Sequence, residues 1–258
     1  MFIEERHQAI LDIIAEKGSI MTSEIQRNFS VSYDSAKRDL RILEEKGLLK
    51  RTHGGAIAIR QVATGKPSGM TCKDIVEVKD NYLAIAKKAV SMIGDNDVVF
   101  IMSATVGYFM AQNLPDTVKV RVVTNSIVIA EELRKKSNVS VIMLGGEMDN
   151  KGNCYDAFAI DMVRKLRFDK CFITAAAISA EFGLSIQKTQ AISFWNAVID
   201  SAKQTIGLFP TEKIGFESIV SICPASKLDV LVTDWNALEE DLIQFDEQNI
   251  EVVVVEKM

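Results

Sequence analysis

The run Ser32 to Gly55, SYDSAKRDLRILEEKGLLKRTHGG, decides how this chain is read. Ser32 has the side chain of a helix N-cap, and Asp34 suits the positive end of the helix dipole that follows. Ala36, Leu40 and Leu43 recur at helical spacing and predict one buried stripe. Tyr33, Ser35, Lys37, Arg38 and Arg41 fall on the opposite face as long donors and a flat ring. Gly47 is placed to stop the helix. Leu48 to His53, the pair Gly54-Gly55 and Ala56 to Ile59 then read as a small hairpin. A basic helix followed by a basic hairpin has the shape and charge to enter a DNA major groove while holding the flanking phosphates.

Working outward, the N-terminal side predicts a helix from about Glu4 to Lys17 with Ile10, Ile13 and Ile14 inward, ended by Gly18. Thr22 is expected to cap a short helix, Ser23 to Phe29, and Ser30-Val31 forms the turn into the basic helix. Two helices joined tightly, the second basic and exposed, with a hairpin after them, imply a winged helix-turn-helix. Residues 1–60 carry ten Lys/Arg against nine Asp/Glu, and residues 37–60 seven against three, while the remaining chain carries 20 against 26. The local basic excess stands out from the overall net charge of −5 and marks the expected phosphate-facing surface.

With 258 residues, 48% hydrophobic and 25% charged, the chain has material for a small domain plus a larger one. Cys72, Cys154, Cys171 and Cys223 are far apart, and only His7 and His53 could join them, so neither a metal site nor a cofactor is expected. A reducing cytoplasm fits these cysteines. MFIEERHQAI is too charged for a signal peptide, and no apolar run reaches the roughly 18 residues of a membrane span.

Arg6-His7-Gln8, Ile10-Leu11, Val31-Ser32, Lys37-Arg38-Asp39-Leu40, Leu43-Glu44, Gly47-Leu48-Leu49 and Arg51-Thr52-His53-Gly54-Gly55-Ala56 together resemble the signature of the DeoR/GlpR family of bacterial regulators. Where that family usually has two arginines before the aspartate, this chain has Lys37-Arg38, which keeps the charge but loses one planar donor fork. The resemblance implies a recognition helix over about Tyr33–Lys46 and a wing carrying Lys50, Arg51 and His53. Thr22, Ser32 and Gly54, at the helix starts and the wing turn, complete the expected contacts to double-stranded operator DNA.

From Gln61 to Lys73 the apolar periodicity lapses and Gly, Pro, Ser and Thr accumulate, so the expected organisation is a DNA-binding domain at 1–60, a linker at 61–74 and a larger domain at 75–258. Strands are predicted at Val98–Met102, Lys119–Thr124, Val139–Leu144, Lys170–Thr174, Thr205–Phe209, Val230–Thr233 and Glu251–Val255. Helices are predicted near Lys79–Ile93, Thr105–Asn113, Ile127–Lys136, Ala157–Leu166, Thr189–Lys203 and Leu238–Gln248. The fold class is therefore α/β: a winged helix-turn-helix followed by a sensor-sized domain on a mostly parallel sheet. Ligands of such sheets sit at the carboxyl strand ends, which here carry Ser103-Ala104-Thr105, Thr124-Asn125-Ser126, Gly145-Gly146 and Lys213.

In this half Thr124-Asn125-Ser126, Gly145-Gly146, Asp169, Phe172, Gly183, Lys213, Gly215 and Thr233-Asp234 resemble the same family's sensor domain, which is similar to sugar-phosphate isomerases and implies a phosphorylated sugar as effector. The family's Asp-x-Gly-Thr-Thr reads Met102-Ser103-Ala104-Thr105-Val106 here. Its aspartate before Ser-x-Lys is Pro210, a Lys-Arg pair is Trp195-Asn196, and a lysine is Tyr82. Each change removes a charge or a backbone freedom, which predicts a more apolar site. The resulting expectation is a non-catalytic repressor of a sugar or carbohydrate utilisation operon, acting as a dimer or tetramer and relieved by the phosphorylated sugar. Two alternatives stay open: a regulator whose degenerate sensor is only an oligomerisation scaffold, and an isomerase-like enzyme.

Overall fold

A computed structural model describes residues 3–17, 19–46, 48–52, 54–58, 80–187 and 189–257. The predicted linker at 61–74, Gly18, Gly47 and His53 lie outside them. The chain divides into two compact units, Met1–Gln61 and Val62–Met258.

The first unit runs α1 (Ile3–Lys17), β1 (Ser19–Met21), α2 (Thr22–Phe29), α3 (Tyr33–Glu45), β2 (Leu49–Arg51) and β3 (Gly55–Ala58). Its core closes on Ile10 and Ile14 of α1, Ile25 of α2, Ala36, Leu40 and Leu43 of α3, and Ile20, Leu49 and Ala56 of the sheet. The apolar stripe of the basic helix is thus buried as its spacing predicted. Ser32 is its N-cap, with Oγ accepting from Ser35 N at 3.2 Å. Truncating Ser32 to alanine should destabilise this unit by about 1 kcal/mol, visible as a lower urea midpoint.

Two local readings are corrected. β1 turns the expected hairpin into a three-stranded antiparallel sheet ordered β1-β3-β2. A side chain at Gly55 would overlap Ile20 O, so only glycine lets β3 lie against β1. Thr22 is not the cap of α2. Met21 holds that position, and its N–H donates to the Glu24 carboxylate at 3.0 Å. Thr22 is 4% exposed, and its N–H donates to Gly54 O at 2.8 Å, which ties α2 to the wing turn instead of facing outward.

The second unit contains α4 (Asp80–Ser91), β4 (Val98–Ile101), α5 (Thr105–Asn113), β5 (Val120–Thr124), α6 (Ile127–Leu133), β6 (Val139–Met143), α7 (Ala157–Arg164), β7 (Phe168–Ile173), β8 (Ala177–Ser179), β9 (Gly183–Ile186), α8 (Ile192–Asp200), β10 (Ala202–Leu208), β11 (Val220–Cys223), β12 (Val230–Asp234), α9 (Glu239–Asp246) and β13 (Glu251–Val255). Seven of these strands form one parallel sheet ordered β13-β12-β10-β7-β4-β5-β6. Side chains alternate across it. Val99 and Ile101 pack with the residues of α4, α5 and α6, whereas Phe100 packs with those of α7, α8 and α9. The predicted helix over Thr189–Lys203 stops earlier: Ser201 is buried and its carbonyl accepts from Phe168 N at 2.9 Å, which starts β10 at Ala202. The small antiparallel sheet β11-β9-β8 had no sequence signal. It closes around Gly183, at φ +78 with Cys223 O where a Cβ would stand.

Candidate functional site

Two places collect the expected site residues, one in each unit. On α3, Lys37, Arg38 and Arg41 are exposed and Tyr33 is 46% exposed. Lys37 Nζ lies 4.6 Å from the centroid of the Tyr33 ring, a cation–π contact that holds both side chains on one side of the first turn. Arg41 Nε lies 3.8 Å from Glu45. Arg38 makes no hydrogen bond or ion pair with the described residues, so its five donors are uncommitted. The Ser32 hydroxyl donates to Ser35 Oγ at 2.9 Å, leaving the Ser35 proton free to donate outward.

The wing is braced on the same helix. Arg51 N donates to Glu44 Oε1 at 2.8 Å, and its guanidinium lies 3.7 Å from Glu44 Oε2. Lys50 is in β2, and Gly54 is exposed at the turn. Asp39 escaped the sequence reading although its signal was present. It lies three residues after Ala36 and four before Leu43, on the inward stripe, where a carboxylate must find partners. Those partners are Arg6 and His7 of α1.

In the second unit, contacts join the strand-end loops in a chain. After β4, Met102 is buried and its Sδ accepts from Thr174 N at 3.0 Å, beyond β7. Thr174 Oγ1 and Ala175 O accept from Lys213 Nζ at 3.3 and 3.0 Å. Lys213 sits in a short turn, Thr211–Lys213, entered from Pro210. No ion pair is formed by Lys213 among the described residues, and burial brings its ammonium pKa down to about 8. Ser103 Oγ lies 3.2 Å from the Tyr155 hydroxyl. Tyr155 in turn packs edge-on against Phe194 and Trp195, at 5.7 and 5.9 Å between centroids. Asn125 is fully buried. Its Nδ2 donates to Cys154 O at 3.2 Å, while its Oδ1 finds no partner among the described residues.

Ala104 heads α5 with no side-chain cap, at φ −154, an extended conformation that requires no glycine. Losing the family's glycine there therefore costs no backbone freedom. Gly145 and Gly146 are exposed, in a loop tied down by its own contacts. Gly145 N donates to Met162 Sδ at 3.3 Å, and the Asp156 carboxylate accepts from Glu147 N at 2.8 Å and from Ala159 N at 3.1 Å. The Glu147 amide, then that of Ala159, holds the Asp156 carboxyl below the usual range. A side chain at Gly146 would overlap Asp156 Oδ1, so this glycine serves the loop's own closure. Thr124 and Ser126 are buried, with Ser126 N donating to Thr124 Oγ1 at 3.2 Å.

A second polar cluster lies at the start of α4. Asn81 Nδ2 donates to Glu212 at 3.2 Å and to Asp234 at 3.1 Å. Asp234 is fully buried and also accepts from Thr211 N at 2.8 Å and Thr211 Oγ1 at 2.7 Å. Tyr82, standing where the family has a lysine, hydrogen-bonds Glu212; burial first, and then Glu212, raise its hydroxyl pKa.

The chain matches the DeoR-like helix-turn-helix domain over residues 6–62 and the DeoR C terminal sensor domain over residues 79–235. It is 31% identical to the HTH-type transcriptional repressor GlcR of Bacillus subtilis, over 100% of this chain and 98% of that protein. It is 26% identical to the glycerol-3-phosphate regulon repressor of Escherichia coli, over 89% of this chain and 90% of that one. A partial likeness, TM-score 0.37 at 15% identity, covers 52% of this chain and 53% of ribose 5-phosphate isomerase from Plasmodium falciparum. No helix among the described residues is long and apolar enough to cross a membrane. With a DeoR-type helix-turn-helix and a DeoR-type sensor domain in one chain, and a full-length relative above 30% identity, this protein belongs to the DeoR family of DNA-binding transcriptional regulators.

Proposed function

We propose that the protein is a cytoplasmic repressor of a sugar or carbohydrate utilisation operon, released from its operator by a phosphorylated sugar. Tyr33, Ser35, Lys37, Arg38 and Arg41 face the major groove, and Lys50, Arg51 and Gly54 approach the flanking backbone. The observation that carries the effector half is Lys213: an enclosed ammonium with neutral oxygen partners, at strand ends that also expose the uncapped start of α5. An anion there would gain a full charge from Lys213 and the partial charge of a helix N-terminus.

Met102 and Trp195 favour the second reading, in which the sensor is mainly an oligomerisation scaffold. Both are buried, Trp195 within the Phe100–Phe194–Tyr155 aromatic cluster, at positions where the family carries charge. A charge-assisted contact contributes about 1.5–3 kcal/mol, so losing two weakens a family ligand by orders of magnitude. Common sugar phosphates should accordingly bind weakly. Calorimetry with a sugar-phosphate panel, run beside operator release by the same compounds, decides between the readings. Tight binding of one compound with release establishes the first, and no binding at millimolar concentration establishes the second.

The expected assembly is a symmetric dimer or tetramer, because one winged helix covers a short site and two half-sites multiply affinity. Light scattering should show at least a dimer at micromolar concentration. A monomer with full operator affinity would refute this.

A further inference from the structure

We infer that Arg6 and His7 are positioning residues for operator recognition, acting through Asp39 to set the rotation of α3 about its own axis. Asp39 is 3% exposed, on the inward side of α3. Arg6 grips it with two donors, Nε to Oδ2 at 2.7 Å and Nη2 to Oδ1 at 3.1 Å. His7 Nε2 lies 3.1 Å from Oδ1, and because a carboxylate only accepts, Nε2 carries the proton in this contact.

At the far end of α3, Glu44 accepts from Arg51 N and braces the wing, but that contact does not tie α3 to α1. α1 lies chiefly against β1 and β3, whereas α3 lies against α2 and β2. What α1 and α3 share is an apolar core of Ile10, Ile14, Ala36, Leu40 and Leu43. Apolar packing is non-directional and accommodates modest rotation and sliding. A two-donor guanidinium–carboxylate fork has one good geometry and resists both. Each residue of a helix turns it by about 100°, so the angle fixed at Asp39 is the angle at which Arg38 and Arg41 leave the surface. A rotation of α3 would leave every positive charge in place for phosphates yet misdirect the donors meant for base edges. Selectivity, and not general DNA affinity, is therefore what Arg6 and His7 protect.

This inference rests on the reading that α3 faces DNA, and its test separates the two. Full-length Asp39→Asn and Arg6→Lys would be compared with the unaltered protein on two probes, a duplex enriched from a random-sequence pool by the unaltered protein and an unselected random duplex. The ratio of the two affinities should fall about ten- to hundredfold in Asp39→Asn, comparable to losing a base contact. It should fall less in Arg6→Lys, which keeps the charge and loses the fork. Affinity for the unselected duplex and its salt dependence should hold within about twofold, since no phosphate contact is removed. Should Asp39→Asn fail to fold, Arg6→Lys alone carries the same readout. Equal losses on both probes, or an unchanged ratio in the folded variants, overturn the inference. An Arg38→Ala control that keeps its selectivity overturns the DNA-facing reading instead.

Discussion

Arg38→Ala is expected to abolish sequence-selective binding while leaving the unfolding transition of the protein unchanged. The Arg38 side chain is exposed, opposite Ala36, Leu40 and Leu43, and has no partner among the described residues, so its removal opens no cavity and orphans no buried group. Its guanidinium is the flattest, most fully available donor set on the helix, suited to the paired acceptors of a guanine edge. One such contact is worth about 1–3 kcal/mol, up to roughly a hundredfold, and on two half-sites the losses add. Gel shift at physiological salt measures the first effect, and thermal unfolding the second. Lys37→Ala should do less, because Lys37 is partly engaged by the Tyr33 ring. If Arg38→Ala binds the selected duplex normally, α3 is not the reading element.

Lys213→Met should make the protein more stable and, at the same time, indifferent to anionic effectors. The Lys213 ammonium is desolvated against Thr174 and Ala175, and the neighbouring Glu212 offsets only part of this, so its pKa falls from the ordinary lysine value to about 8. Between about pH 8 and that ordinary value the unfolded chain holds a proton the folded chain has released, so stability rises with pH across that window. Below about pH 8 both states are protonated and the full cost of enclosing the charge is present. Replacing Lys213 by an apolar side chain of similar length should thus stabilise most at neutral pH, by about 1–2 kcal/mol. The gain should fade as pH climbs through the window. Affinity for an anionic effector in the unaltered protein should fall as pH rises past about 8, and Lys213→Met should lose that dependence. Thermal unfolding and titration calorimetry at two pH values give both results. A destabilised Lys213→Met at neutral pH would mean the lysine is a structural bond donor and not an enclosed charge.

The parts that were legible in the sequence are those whose information is local. The period of Ala36, Leu40 and Leu43, the capping chemistry of Ser32 and the alternation of β-branched runs with helical ones each act within a few residues. They yielded the basic helix α3 and the parallel sheet. What stayed hidden depends on partners far along the chain. β1 is three residues that become a strand only because Gly55 lets β3 approach. In the sheet β11-β9-β8, β11 pairs with a segment more than thirty residues earlier, as in the Ile186–Val220 pair, with no short-range sign of it. In the sensor, Ser103 and Lys213 were recognisable from their place after strands. Tyr155 was not, because the loop that carries it is organised by Asp156 and Asn125, not by a pattern of its own. Gly146 shows a second role that no local pattern signalled: a side chain there would overlap Asp156, so the small residue also serves loop closure.

The short tie at the start of α4 gives a ligand at Lys213 something to work against within the second unit. Asn81 is the second residue of the first sensor helix, and it spans Glu212 and Asp234. Glu212 is the immediate neighbour of Lys213. A ligand that displaced Lys213 and its turn would work against the same bonds, which hold the start of α4. If such a ligand changes operator affinity by some factor, the operator must change ligand affinity by the same factor. A compound that left the Asn81 bonds undisturbed through this route could occupy the sensor and say nothing to the DNA. Asn81→Ala should accordingly retain binding at Lys213 while the two affinities become independent, a factor measurable by titrating ligand with and without the duplex.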